Sequence, residues 1–537
     1  MLSRASFLAV AFFALAVRLG FVTEQSLWID EAFTASWCCE SLPKMLGRIA
    51  SEDRHPPLYC LLSYTIVRLT DCASCQFDST GKCEISLRLV SVVSGAALIF
   101  VVSLIGMRIG GIACALLSAS LLVLHPGAIR FSQEARPYML YTFLSAFACL
   151  LWIEALNCGD RRSGTAGKCD KIRLSSVVAF CIVSLLSLYS CYMAFVPWLA
   201  RVLCAGAQLR RRHNTASLHL LAADIAAMLA LLFWLAFVLL QPNVMGTKVS
   251  PTETGVQVVA AFLMNDFVGY EYGLSQSASS VLTLTLIASI TCAISVVSAV
   301  YMSLRSVTRY GEGQDREALM LMLTWLVIHL ALLLIAPLLI HEFNRWQRVI
   351  DGIVPLSLLL ACNAATARSA LSSLHKRLIV ANTRLTIAIL LILHCIGTHS
   401  QFNDSRYFRE DWRGAAQFAM AHEREFEFII LNAPVGSFPF KLYYNGQREY
   451  KDAPSLVTEA ERAAATTWLR NLLNRHRRIL VIECRLWQVD PTGWLSAQLQ
   501  RIATPRLTWH SSKISATIWE VKSLGTGIRE STSQIVP

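Results

Sequence analysis

Length, composition and charge restrict the class of protein to which this sequence can belong. The chain has 537 residues, of which 55% are apolar and 16% are charged. This balance is too apolar for an ordinary soluble enzyme and is typical of a polytopic membrane protein. The formal net charge is +12, but the basic residues lie in short loops between apolar runs, and no basic tract is interleaved with aromatic residues. The charge pattern therefore argues against a nucleic-acid partner.

The apolar run that follows Arg4 has two interpretations. It is either a signal peptide with Ala14-Leu15-Ala16 as its cleavage site, or a retained first span. The apolar character resumes beyond Arg18, which favours a retained span. Both alternatives place the chain from residue 23 onward outside the membrane.

Apolar runs of about the length that crosses a bilayer recur along the first 400 residues. There are eleven, at residues 5–22, 85–106, 111–128, 137–157, 174–190, 192–206, 218–240, 279–303, 317–340, 349–365 and 384–398. The run 56–69 is shorter and is predicted to lie in the outer interface. The fold class is thus an α-helical polytopic membrane protein with about eleven transmembrane helices and interfacial helices in the first outer loop.

The loop charges fix a predicted orientation. Lys and Arg concentrate in loops 158–173, 207–217, 304–316 and 366–384, whereas loop 241–278 holds one Lys and no Arg. Positive loops stay on the cytoplasmic side. The sequence therefore predicts a multi-pass protein of the cell membrane, inner or plasma, with its first loop outside.

After about residue 400 the pattern changes. The stretches "EFEFIILNA", "RRILVIEC" and "ISATIWEV" are typical of strands, and "DWRGAAQFAMAHE", "TEAERAAATTWLRNLLNRH" and "TGWLSAQLQ" are typical of helices. Alternating strands and helices predict a small α/β domain, which the odd number of spans places outside. We predict a membrane domain over 1–400, with its first outer loop at 23–84, and an extracytoplasmic α/β domain over 401–537.

Four polar clusters fall on the predicted outer face. They are "WIDEAF" at 28–33, "DRHPPLY" at 53–59, "FSQEARPY" at 131–138 and "HEFNRWQR" at 341–348. Ionisable groups at membrane level are costly, so each cluster is a candidate functional site. The same residues also have plain structural roles, because acids favour helix N-termini and arginines reach lipid headgroups from helix ends.

Together these motifs resemble the glycosyltransferase C superfamily, in the branch of the protein O-mannosyltransferases, the lipid A aminoarabinose transferase and their bacterial relatives. The resemblance rests on Asp30-Glu31, on His55-Pro56-Pro57-Leu58-Tyr59, on Ser132-Gln133-Glu134-Ala135-Arg136-Pro137-Tyr138, and on Asp411-Trp412-Arg413-Gly414. It is good over residues 1–220 and looser over 220–400. In the tail it depends mainly on the last of these motifs.

The resemblance implies transfer of a sugar from a polyprenyl-phosphate donor to a hydroxyl of an envelope acceptor at the outer membrane face. The acceptor is a glycolipid, a polysaccharide or a protein. Matching the family's Asp-Glu pair makes Asp30 the general base, because a carboxylate in hydrogen-bond reach can take the hydroxyl proton. A single displacement implies inversion at the anomeric carbon. Glu31 is expected to orient a neighbour or to bind acceptor.

The leaving phosphate needs cations, and a guanidinium grips two phosphate oxygens at once. Arg136 and Arg345 are the candidates, although Arg345 precedes a Trp where relatives often have Tyr. His55 stands before a Pro-Pro turn and is a candidate phosphate contact, a metal ligand or a loop cap. Supporting roles are predicted for Tyr59, Glu134 and Tyr138.

No cofactor is predicted. A divalent cation near Asp30, Glu31 and His55 is an alternative that the residue spacing does not specify. Cys72, Cys75 and Cys83 lie in the first outer loop, where disulfides persist. A loop staple is favoured over a zinc site or a redox role.

Two other functions compete with glycosyl transfer. A transporter or flippase would also have many spans, but it should show repeats and Gly/Pro-broken helices at mid-membrane, and the sequence has neither feature. A noncatalytic envelope-assembly scaffold would have the tail as its working part and would tolerate replacement of Asp30.

Overall fold

The computed structural model describes residues 4–53, 55–72, 77, 81–160, 174–212, 215–241, 314–339, 350–365 and 374–522, together with isolated residues between 290 and 301. The chain divides into two compact units. The first comprises Met1–Gly20, Ser41–Ser63 and Arg88–Asn403, and the second comprises Phe21–Glu40, Tyr64–Leu87 and Asp404–Pro537.

Among the described residues before residue 404, helices account for almost all the regular structure. In chain order they are α1 (Arg4–Leu19), α2 (Ile29–Cys38), α3 (Leu42–Arg48), α4 (Leu58–Leu69), α5 (Lys82–Val123), α6 (Pro126–Ser132), α7 (Tyr138–Asp160), α8 (Leu174–Ser190), α9 (Phe195–Arg212), α10 (Thr215–Leu239), α11 (Gln314–Leu339), α12 (Ile353–Ala365) and α13 (Leu374–Asn403). A π-helical turn, Ile49–Asp53, follows α3.

Among the described residues, six helices are long and apolar enough to cross a membrane. They are Lys82–Val123, Tyr138–Leu156, Tyr192–Arg211, Thr215–Leu239, Arg316–Ile335 and Arg377–Asn403. The hydrocarbon core of a bilayer offers the backbone no hydrogen-bond partners, and a helix needs none because it pairs its own N–H and C=O groups. The chain is therefore a multi-pass membrane protein.

Helix α5 contains two of the predicted spans. Its 42 residues would reach about 63 Å as one straight helix, which is twice the thickness of the bilayer core. The backbone leaves helical geometry at Gly110 and Gly111, and Gly111 has a φ of +70°, a conformation that glycine adopts without penalty. A Cβ on Gly106 would lie 2.9 Å from the Cα of Ala115, so the two arms pack closely beside this turn. These arms correspond to the runs 85–106 and 111–128.

Each of the other predicted spans that falls within the described residues also coincides with a helix. The run 349–365 contains only the 13-residue α12, whereas the run 384–398 lies inside the 30-residue α13. The run 279–303 lies outside the described residues apart from isolated helical positions. The total of eleven spans stays a prediction. The excluded segment 56–69 forms α4, whose 12 residues are too few to span a bilayer.

The described tail forms a five-stranded mixed sheet with helices. Its elements are α14 (Trp412–Ala421), β1 (Phe428–Asn432), α15 (Ser437–Tyr443), β2 (Glu449–Asp452), α16 (Glu459–Leu473), β3 (Arg478–Cys484), α17 (Leu486–Val489), α18 (Trp494–Ile502), β4 (Ala503–Ser511) and β5 (Ile514–Val521). The strand order is β2-β1-β3-β5-β4. Strands β2, β1 and β3 are parallel, and β5 runs antiparallel to β3 and β4.

The core of this sheet follows the two-residue period of strands. Phe428 and Ile430 of β1 point to the same buried cluster as Ile479 and Val481 of β3, and Leu469 of α16 packs there too. The predicted strands at 425–433, 477–484 and 514–521 and the three predicted helices of the tail are all present. Strands β2 and β4 and helices α15 and α17 were not predicted.

A disulfide joins Cys72 to Cys83 in the second unit. It closes the segment between α4 and α5, in agreement with the loop-staple interpretation. Cys75 lies outside the described residues.

Candidate functional site

The predicted acid pair opens helix α2 in the second unit. Asp30 and Glu31 occupy the first helical turn, where carboxylates interact favourably with the helix dipole. Glu31 is fully buried, and its Oε2 accepts a hydrogen bond from Arg409 Nη1 at 3.1 Å. Asp30 is only partly buried. The two neighbours therefore differ in environment: the Glu31 carboxylate is enclosed by the protein, and the Asp30 carboxylate is within reach of solvent.

Arg485 lies beside the start of α2. Its Nε donates to Glu410 Oε1 at 2.7 Å, and its guanidinium lies 5.2 Å from the centroid of the Trp28 ring. Burial alone would lower the pKa of Arg485, but the charges of Glu410 and Asp30 raise it above its ordinary value. Arg485 is thus a permanent cation close to Asp30.

The Asp-Trp-Arg-Gly motif begins α14 in the same unit. The Asp411 carboxylate caps the helix by accepting from the backbone N–H of Gly414 at 2.9 Å. Arg413 donates to Glu84 Oε1 at 2.8 Å and to the carbonyl of Thr23 at 3.0 Å. This motif therefore ties the tail to both ends of the first outer loop.

In the first unit, Asp53 brings together two predicted phosphate ligands. Its carboxylate faces the Arg136 guanidinium across two contacts, Nη1 to Oδ2 at 3.3 Å and Nη2 to Oδ1 at 3.4 Å. Its Oδ2 also lies 3.0 Å from His55 Nδ1. Burial would raise the pKa of Asp53, but the charges of Arg136 and His55 and their hydrogen bonds outweigh this and hold it well below its usual range. The carboxylate is therefore ionised at neutral pH.

A buried hydroxyl network holds the Arg136 loop. Ser91 Oγ donates to the carbonyl oxygen of Glu134 at 2.6 Å and to that of Arg136 at 3.1 Å. The Tyr59 hydroxyl lies 3.0 Å from Ser91 Oγ. Tyr138, which begins α7, is buried with its ring edge-on to Phe131. The residues predicted to support Arg136 are thus packed around its loop, and Glu134 contributes through its backbone.

One predicted residue cannot be placed. Arg345 and the rest of its cluster at 341–348 lie outside the described residues. Within the described part of the chain, no group of three or more His, Cys, Asp or Glu side chains is arranged to hold a metal ion.

Four residues of these two clusters were not singled out from the sequence. Asp53 opens the "DRHPPLY" cluster, and Arg409 and Glu410 directly precede the Asp-Trp-Arg-Gly motif. Arg485 follows β3, and the carboxyl end of a parallel strand is a frequent position for ligand-binding residues. The sequence could have indicated these residues by their positions, beside a motif or at the end of a predicted strand. Their interaction partners are identified only by the fold.

Neither a family model nor a curated protein matches the sequence. Solved structures match the fold. ArnT from Cupriavidus metallidurans in the apo state is 13% identical, with a TM-score of 0.55 over 96% of this chain and 98% of that one. The same enzyme bound to undecaprenyl phosphate gives a TM-score of 0.52 at 13% identity, covering 96% of this chain and 97% of that one.

A second similar structure comes from an archaeon. The oligosaccharyltransferase AglB from Archaeoglobus fulgidus, in complex with an inhibitory peptide and a dolichol-phosphate, is 12% identical with a TM-score of 0.50. The match covers 96% of this chain and 74% of AglB. Both proteins are members of the glycosyltransferase C superfamily. The chain therefore has the fold of that superfamily, which confirms the fold that the sequence motifs implied.

Proposed function

We propose that this protein is a membrane glycosyltransferase. It transfers a sugar from a polyprenyl-phosphate donor to a hydroxyl of an envelope glycolipid, polysaccharide or protein at the outer face of the membrane. The observation that carries the proposal is the similarity in fold to ArnT, which extends over 96% of the chain and includes a form bound to undecaprenyl phosphate. The motifs that are predicted to lie on the outer face provide the carboxylate and the arginine side chains that the reaction needs.

In the proposed reaction Asp30 is the general base. Its carboxylate takes the proton of the acceptor hydroxyl while the acceptor oxygen bonds to the anomeric carbon. The bond from that carbon to the phosphate oxygen breaks, and polyprenyl phosphate leaves with the electron pair. A single displacement inverts the anomeric configuration. The partial exposure of Asp30, against the enclosed ion pair of Glu31 with Arg409, supports Asp30 as the base and Glu31 as a positioning residue.

The proposed site for the donor phosphate includes Arg136, His55 and Arg345. Arg136 and His55 converge on Asp53, so both side chains are held in place before the donor binds. We assign Asp53 a positioning role, and Tyr59, Glu134 and Tyr138 support the Arg136 loop. Preorganised donors of this kind stabilise the charge that develops on a leaving group.

Removal of the proposed base tests the reaction directly. The protein is reconstituted in liposomes with polyprenyl-phosphate sugars and crude envelope extract as acceptor, and release of polyprenyl phosphate is measured. We expect Asp30→Asn to lower the rate by about 10²–10⁴-fold, the usual contribution of a general base. The matched control is Glu24→Gln, which neutralises an exposed acid of the same loop and should retain the wild-type rate.

Other outcomes assign the functions differently. An undiminished rate in a folded Asp30→Asn protein would move the base elsewhere, and Glu31→Gln would be measured next. If wild type releases no polyprenyl phosphate from any donor, the glycosyltransferase proposal fails, and the transporter and scaffold alternatives become the leading explanations.

A further inference from the structure

A cavity of ≈640 Å³ opens in the second unit. It lies where β3 ends and where the hairpin of β4 and β5 turns, and Glu410, Arg485 and Trp487 line it together with His510, Ser511 and Lys513. The proposed transfer reaction uses none of these residues. Arg485 also contacts Trp28, the residue before α2, so the cavity adjoins the helix that carries Asp30.

The backbone of Arg485 is strained in a way that directs its side chain. Its φ is +50° and its ψ is +44°, in the left-handed region that non-glycine residues seldom adopt. Strain of this kind is retained where the surrounding structure uses it, and it concentrates at binding sites. Here it turns the chain sharply after β3 and places the guanidinium against Glu410.

One carboxylate oxygen of Glu410 can accept a further hydrogen bond. Its Oε1 accepts from Arg485, whereas its Oε2 is buried and has no hydrogen-bond partner among the described residues. The residue as a whole is only 5% exposed. A buried carboxylate oxygen without a donor is costly, and a ligand hydroxyl would supply the missing donor.

Trp487 is the most exposed large aromatic side chain of the described tail, at 72%. It stands on the short helix α17, immediately after the Arg485 turn. An exposed indole beside charged groups offers a flat apolar face next to hydrogen-bonding groups. That combination matches a sugar ring, which has an apolar C–H face and a rim of hydroxyls.

We propose that this cavity binds the glycan part of the acceptor, as a neutral saccharide with neighbouring hydroxyls. Trp487 stacks on the ring face, and the Arg485–Glu410 pair bonds the hydroxyls. This inference rests on the proposed glycosyltransferase function and narrows its acceptor to a carbohydrate. The buried Oε2 of Glu410 needs a hydrogen-bond donor, which a saccharide hydroxyl supplies and a phosphate dianion does not.

The experiment measures glycan binding separately from turnover. Full-length protein in detergent is mixed with oligosaccharides released by mild acid from envelope material, and binding is followed by saturation-transfer NMR of the sugar protons. We expect saturable binding by wild type, about tenfold weaker binding by Trp487→Ala, and partial recovery by Trp487→Phe. Leu507→Ala removes an exposed apolar side chain of the same sheet outside the cavity and should bind as wild type does.

Turnover assays then distinguish a failure of this inference from a failure of the proposed glycosyltransferase function. With envelope acceptor, Trp487→Ala should raise the KM for acceptor about tenfold and leave the rate at saturating acceptor near that of wild type. If Asp30→Asn abolishes turnover while Trp487→Ala changes neither glycan binding nor acceptor KM, the cavity proposal is wrong and the glycosyltransferase stands. Displacement of the bound glycan by inorganic phosphate or by an acidic peptide at equal concentration would also overturn it.

Discussion

Asp53 determines how Arg136 and His55 are presented. Two contacts to the guanidinium and one to the imidazole fix both side chains through one carboxylate. A planar guanidinium held across two bonds keeps its orientation, which a lysine at the same position could not do. The arrangement lets Arg136 meet a phosphate without first reorganising, provided that Asp53 stays ionised.

The ionisation of Asp53 makes a prediction about pH. Because its folded pKa lies below its usual range, its contribution to stability is fully present above an unfolded pKa of about 3.9 and is lost only as the pH falls through the folded value. We expect Asp53→Asn to lower the stability of the protein by about 1–3 kcal/mol, since it removes the carboxylate that faces the Arg136 guanidinium. The deficit should be at least as large at pH 5 as at pH 8, as measured by thermal unfolding in detergent.

The direction of the pH effect distinguishes ion pairing from burial. If burial dominated, the pKa of Asp53 would be raised, and the deficit of Asp53→Asn would shrink between pH 8 and pH 5. Asp404→Asn is the control, because Asp404 also pairs with an arginine, Arg406, whose side chain is 53% exposed whereas that of Arg136 is 8% exposed. It should leave the unfolding temperature unchanged at both pH values.

At this scale the sequence identifies candidates without identifying partners. Asp30 and Glu31 are adjacent, and nothing in the residue types says which carboxylate is enclosed. Successive helical residues point in directions about 100° apart, so the two carboxylates meet different surroundings. The partner that settles the choice, Arg409, is 378 residues away in the sequence, and only folding brings it to Glu31.

Helices α8, α9 and α10 are joined by a buried ion pair. Arg201 of α9 donates to Asp224 of α10 through Nε at 3.2 Å and Nη2 at 2.9 Å, and to Ser184 Oγ of α8 at 2.9 Å. Both charged side chains are about 1% exposed. Charges within membrane helices are expensive unless they are paired, so this contact fixes how the three helices align.

Removing one charge of this pair should lower the stability of the protein more than removing both charges. Asp224→Asn leaves Arg201 buried without a counter-charge, a change worth about 3–5 kcal/mol in buried pairs. The double variant Arg201→Met with Asp224→Leu removes both charges and should recover most of the lost thermal stability in detergent. A double variant as unstable as Asp224→Asn would mean that polar contacts specific to this pair, and not the stranded charge, hold the helices.

Elements differ in how far their sequence predicts them. The spans follow from length and hydropathy, because lipid requires about 20 apolar residues in a helix. Strands β2 and β4 lie at the two edges of the sheet and are largely exposed, so they lack the apolar pattern that marks β1, β3 and β5. Arg201 and Asp224 were not singled out because a lone charge in an apolar run does not reveal its partner.

Across the whole chain, contacts within the second unit constrain membrane sidedness. Glu31 pairs with Arg409, and Ser26 donates to the carbonyl of Glu410 at 2.9 Å. The segment that follows α1 and the tail must therefore lie on one side of the membrane. The chain between them then crosses the membrane an even number of times, and the predicted spans from 85–106 to 384–398 are indeed even in number. The disulfide between Cys72 and Cys83 agrees with the oxidising outer side.

Labelling of one introduced cysteine at a time tests this sidedness. We expect Glu24→Cys and Glu449→Cys, both at exposed positions, to react with a membrane-impermeant maleimide in intact cells. Arg211→Cys, at the basic C-terminal end of α9, should react only after permeabilisation, because positively charged segments stay inside. Wild type, with its native cysteines, gives the background.

Labelling of Glu24→Cys and Glu449→Cys from opposite sides would require an odd number of crossings between them and would contradict the contacts of Glu31 with Arg409. Labelling of both only after permeabilisation would preserve those contacts but reverse the orientation, and with it the face at which Asp30 could meet an envelope acceptor.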